Sequence, residues 1–176
     1  YTEMKKTLRS TALVAVRAAT AFAPTAQAAG GTSTVTGKVL TDTCVVSVNG
    51  GSTVVLPTVM SRSLTTVGKM AGATSFTVGL TGCDTNTTSA TMAFSGANIN
   101  AATGNLNNTA ASGSNVQVQL LNGASVINTN SNTNAPVIAV AAGTGSAALK
   151  AQYIAATAAA TAGLVSTTVN FTLNYL

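Results

Sequence analysis

Apolar and polar residues alternate in short runs along most of this chain, and turn-forming residues separate the runs. Over residues 75–80, Phe76, Val78 and Leu80 fall on one face. Met92 and Phe94 share a face within 91–94. Residues 115–120 also alternate, and the period predicts that Gln117 and Gln119 point to solvent. Further extended segments are expected over 35–48, 149–154 and 164–175. Stretches rich in Asn, Gly and Ser at 98–114 and 128–134 predict turns. No segment carries an apolar stripe of helical period. The run 155–162 has helical propensity but no large apolar side chain to bury, so a loop is expected there. Many short strands at this spacing predict an all-β chain folded as an antiparallel β-sandwich.

The last segment is the most informative. Val165, Thr167, Val169, Phe171, Leu173 and Tyr175 lie on one face, with Ser166, Thr168, Asn170, Thr172 and Asn174 on the other. An apolar strand of this length left at an open edge invites pairing with another chain. The period therefore predicts that a second strand covers it, from this chain or from a partner.

Charge adds little to this picture except near the start. Only 6% of the residues are charged, and histidine and tryptophan are absent, which leaves little material for acid–base chemistry. The formal charge of +5 is concentrated at the N-terminus. There Met4-Lys5-Lys6 precedes an apolar run over 13–22, and Ala26-Gln27-Ala28 supplies small residues for cleavage. This is the layout of a secretory signal peptide, expected to span 1–28 and to be removed. Arg17 interrupts the apolar run, which is too short to span a membrane. From residue 29 onward Lys38, Arg62, Lys69 and Lys150 face Asp42 and Asp84, a charge of +2 spread thinly along the chain. Nucleic-acid binding requires a dense basic patch, and none is present. Asp84 has no histidine or second carboxylate nearby in sequence and is read as a turn residue.

Cys44 and Cys83 are the only cysteines. In an exported chain an even count implies a disulfide, and two cysteines allow one pairing. The lack of histidine and of a CxxC pair argues against a metal site or a redox thiol.

An ordered set of segments resembles the major subunits of chaperone–usher fimbriae of the type 1 kind. Residues 30–39 resemble the donor strand leading into the first structural strand, and Cys44 and Cys83-Asp84-Thr85-Asn86 resemble the two cysteine regions. Residues 115–123 and 150–153 resemble later strands. Gly163, fourteenth from the end, and the penultimate Tyr175 resemble the terminal motif.

The resemblance implies an incomplete immunoglobulin-like sandwich completed by a donor strand from a neighbouring subunit, with residues 29–36 as the donor extension and 37–176 as the pilin domain. It implies donor residues Ala29, Gly31, Ser33 and Val35. Ser33 is polar where the family has larger apolar residues. The acceptor groove and chaperone recognition fall to Gly163, Val165, Val169, Phe171, Leu173 and Tyr175. The implied partners are identical subunits, a periplasmic chaperone and an outer-membrane usher, on a route through the periplasm to a surface fimbrium. No cofactor, metal, nucleic acid, small-molecule substrate or enzyme activity is implied. A minor adaptor or tip adhesin of such a fimbria is the alternative reading, although the chain has no room for a separate receptor-binding domain.

Overall fold

A computed structural model describes residues 37, 43–49 and 51–176. The proposed signal peptide and donor extension lie outside them. The described residues form two facing antiparallel sheets. The first contains β1 (Val45–Val48), β2 (Met70–Thr81), β8 (Thr144–Ile154) and β5 (Gln117–Asn122) in that spatial order. The far edge of β5 carries the short β4 (Leu106–Asn107) and β6 (Ser125–Ile127). The second sheet is β7 (Val137–Ala141), β3 (Ser89–Ser95) and β9 (Asn170–Tyr175). A tight β7–β8 hairpin, pairing Val140 with Gly145, joins the two sheets. The predicted β-sandwich is the observed architecture.

The core forms where the alternation places it. Phe76, Val78 and Leu80 from β2 meet Met92 and Phe94 from β3, all of them buried. Leu120, Ile138 and Leu149 from β5, β7 and β8 complete the same cluster. On adjacent strands, Phe94 lies directly opposite Phe171, with ring centroids 6.4 Å apart and tilted by 57°. Burying each of these large side chains contributes on the order of 1.5–3 kcal/mol. A disulfide joins Cys44 to Cys83 and ties the start of β1 to the end of β2.

Two expectations need correction. Gln117 and Gln119 do not face solvent: they are buried, at 7% and 6% exposure, as is the rest of 116–120. The chain at 100–107 folds back over the outer face of β5 and meets these glutamines with amides of its own. Asn105 Nδ2 and Thr103 Oγ1 donate to Gln117 Oε1 at 3.1 and 2.8 Å, and Gln117 Nε2 donates to Asn107 Oδ1 at 3.2 Å. Gln152 Nε2 donates to Gln119 Oε1 at 2.8 Å. Full hydrogen bonding makes burial of these polar groups tolerable. The second correction concerns the last strand, expected over 164–175. Its ladder begins only at Asn170, and 165–169 is extended without a strand partner among the described residues.

Loops follow the reading more closely. Residues 128–134 are turns, and 155–162 is irregular. Asp84 Oδ1 accepts the Asn86 N–H at 2.7 Å, the side-chain-to-backbone bond that makes such a turn. The 3-10 turn Ser61–Ser63, β7 and the first half of β8 were not foreseen.

Candidate functional site

Two extended segments flank an open groove. One wall is 52–56, where Val54 and Leu56 turn inward and Val55 turns out. The other is 165–171, where Val165, Thr167, Val169 and Phe171 turn inward. Between them is a cavity of about 510 Å3 whose floor is the sandwich core, including Phe76, Met92, Phe94 and Leu120. Among the described residues no strand pairs with 53–56 or with 165–169. A second cavity of about 510 Å3 continues past Tyr153 and Val165, bounded by Leu64, Val116 and Gly163.

The backbone of the 165–171 wall is aimed by its bonding pattern. In an extended chain the N–H and C=O of one residue point to the same side, and successive residues alternate. Leu176 exchanges bonds with Ser89 at the β3–β9 edge, N to O at 2.9 Å and back at 3.4 Å, so even-numbered residues point toward β3. Upstream of the ladder the even side is held by other partners. The Leu164 carbonyl accepts from Ser114 N at 3.0 Å and from Asn108 Nδ2 at 2.7 Å. Asn108 Oδ1 accepts the Ser166 N–H at 2.9 Å, and the Ser166 carbonyl accepts from Thr109 N at 2.8 Å. Asn98 Nδ2 donates to the Thr168 carbonyl at 3.1 Å. The odd-numbered residues 165–175 therefore direct their backbone donors and acceptors to the opposite, open edge.

The predicted site residues fall into three groups. Val165, Val169 and Phe171 line the first cavity. Leu173 and Tyr175 continue the same inward face beyond it, opposite Met92 and Ala90 and packed on the core. Gly163 borders the second cavity and lies against the backbone of 112–114. A Cβ there would run into Ser114 N and come within 2.6 Å of Gly113 C, so only glycine fits. The wall at 52–56 was missed by the sequence reading. Its only signal in the sequence was the short apolar run Val54-Val55-Leu56 between Gly51 and Pro57. Electrostatics contribute little here: burial pushes the Tyr153 phenol up, and its ring borders both cavities. Among the described residues no three His, Cys, Asp or Glu side chains gather as metal ligands.

Residues 56–176 match the family model described as FimA, type-1 fimbrial protein A. The chain belongs to that family. It is 42% identical over 157 residues to the F17 fimbrial protein of Escherichia coli, covering 82% of this chain and 87% of the relative. It is 41% identical over 168 residues to the major fimbrial subunit SMF-1 of Stenotrophomonas maltophilia strain K279a, covering 85% and 95%. Among solved structures, the P pilus rod subunit PapA superimposes with a TM-score of 0.61 at 17% identity, over 77% of this chain and all of that one. A Burkholderia pseudomallei antigen and type I fimbria protein superimposes at 0.57 with 26% identity, over 76% and all. This member of the type-1 fimbrial family is a structural subunit of a fimbria, and the family places it at the cell surface.

Proposed function

We propose that this subunit polymerises by donor-strand exchange: residues 29–36 of one copy insert into the groove between 52–56 and 165–171 of the next. The observation that carries this reading is an open gap with an apolar floor, bordered by two extended segments, 53–56 and 165–169, that have no strand partner among the described residues. The odd-numbered backbone groups of 165–175 supply a ready edge for added main-chain bonds, and the pockets between their side chains supply register. Ala29, Gly31, Ser33 and Val35 are the inward face of the donor, with Gly31 at the narrowest place. Val165, Val169, Phe171, Leu173 and Tyr175 form the acceptor edge, and Gly163 sets where it begins.

An open edge of this kind must be covered before assembly. A periplasmic chaperone fills that role by lending a strand, and an outer-membrane usher exchanges it for the donor of the incoming subunit. Each copy carries both donor and groove, so the contact is head to tail and propagates as a homopolymer. The test is to remove residues 29–36 and express the shortened subunit with its chaperone and usher. It should still be captured by the chaperone yet fail to form fibres under electron microscopy. Fibres of ordinary length from that deletion would refute the donor role.

A further inference from the structure

The hydroxyl of Thr167 is out of keeping with its surroundings. Thr167 stands between Val165 and Val169 on the inward face of the groove wall, and its Oγ1 is buried without a hydrogen-bond partner. A buried hydroxyl left this way destabilises the free subunit. The proposed donor has a matching irregularity: of its inward residues Ala29, Gly31, Ser33 and Val35, only Ser33 is polar.

The two irregularities coincide in one register. The cavity wall runs from Val165 to Phe171, and the donor face from Ala29 to Val35 covers the same number of residues. Every ladder between named strands is antiparallel. Antiparallel pairing with the two spans end to end places Val35 opposite Val165, Gly31 opposite Val169 and Ala29 opposite Phe171. Ser33 then falls opposite Thr167. Directly opposed residues hold their Cβ atoms about 5 Å apart, within reach of a hydroxyl pair once Thr167 turns about χ1.

Resting on the donor-strand reading above, we propose that a hydrogen bond between Ser33 of one subunit and Thr167 of the next fixes the register of insertion and selects a donor with a hydroxyl at that position. A slip of two residues would set Val35 or Gly31 against Thr167 and leave its oxygen without a partner.

The test uses fibres of the full chain carrying Thr167→Val, Ser33→Val or both, with the rate of dissociation into subunits measured in denaturant. Each single change should speed dissociation roughly three- to tenfold, the net worth of one intramolecular-type hydrogen bond. The double variant, which opposes two valines, should dissociate more slowly than either single one. Thr167→Ser and Ser33→Thr keep the hydroxyls and should stay near the parent rate. The unassembled Thr167→Val subunit should melt no lower than the parent, because a methyl replaces an unpartnered oxygen; a purely structural role for Thr167 would lower it. Should Thr167→Val not fold, Ser33→Val and Ser33→Thr decide the matter, since they change only the donor. Single variants within twofold of the parent, or effects that simply add, overturn the pairing while fibres still form. Fibres from the 29–36 deletion would instead remove the donor-strand reading, and the pairing with it.

Discussion

Replacing Gly163 with alanine tests how the groove wall is positioned. The added Cβ would meet Ser114 N, Gly113 C at 2.6 Å and Ser112 O at 2.9 Å, all of them backbone atoms that cannot rotate away. The chain at 163–164 must therefore move off 112–114. That movement strains the bond from Ser114 N to the Leu164 carbonyl, 3.0 Å long, and the 2.7 Å bond from Asn108 Nδ2 to the same oxygen. Overpacking of this kind costs about 1–3 kcal/mol. Loss of one or two hydrogen bonds adds about 1 kcal/mol each. The sum is about 2–5 kcal/mol. For a domain of this size that lowers the thermal midpoint by on the order of 10 °C. Denaturant titration of the unassembled subunit, followed by circular dichroism, reads the loss directly. Because the displaced residues begin the proposed acceptor wall, fibre yield should fall further than stability alone requires, and Gly163→Ser should behave no better than alanine. An alanine variant within about 0.5 kcal/mol of the parent would show that the backbone at 112–114 yields freely, and the account of Gly163 would be wrong.

Three further outcomes follow from the same structure. Replacing Cys44 and Cys83 with serine opens a disulfide whose ends are 39 residues apart and should lower stability by about 4 kcal/mol, measured as the shift in urea midpoint between the parent and the variant. Gln119→Leu removes the acceptor of the Gln152 Nε2 bond and the donor to Asn105 Oδ1, leaving buried polar groups short of partners at a cost of about 2–4 kcal/mol; a leucine variant as stable as the parent would show that the amide cluster under 100–107 contributes nothing. Stability should be level from about pH 5 to 9, because the chain has no histidine and its two cysteines, the other side chains that ordinarily titrate in that window, are joined in a disulfide. Above it, the Tyr153 phenol sits higher in the folded state than in the unfolded chain, so the unfolded chain loses its proton first. The contribution of that burial is complete below about pH 10 and is lost as pH rises beyond it, which unfolding curves in alkaline buffer would record.

Alternation marks the apolar core faces faithfully in this chain, but not what covers the opposite face or whether a strand is paired. Phe76, Val78, Leu80, Met92 and Phe94 are all core residues, as their period-2 spacing requires. The face from Val165 to Tyr175 is inward at every odd position. Yet the ladder stops at Asn170, because side-chain periodicity records which face meets the core and is silent on whether a neighbouring strand is present. Gln117 and Gln119 mislead for a related reason. Their alternation with Val116, Val118 and Leu120 marks two faces, but covering of the second by 100–107 is a tertiary event with no local trace. The first half of β8 was hidden by its composition: Gly145, Ser146, Ala147 and Ala148 are too small to mark a half-buried strand. The wall at 52–56 was hidden by its brevity, with only Val54 and Leu56 turned inward.

How the groove keeps its width without a strand inside it is answered by the polar side of its wall. An extended segment over an apolar floor gains by closing on it, since each large side chain buried contributes about 1.5–3 kcal/mol. In this subunit the segment 164–168 is held from behind. Asn108 imitates a strand neighbour, accepting the Ser166 N–H and donating to the Leu164 carbonyl, while Thr109 and Asn98 take the carbonyls of Ser166 and Thr168. Closing the groove would break these bonds and leave their amides without partners, which offsets much of the apolar gain. The asparagine-rich stretch at 98–114, which sequence alone marks as turns, therefore spaces the wall from the floor. The Asn108 and Asn98 side chains are as much a part of the groove as the apolar residues they hold in place.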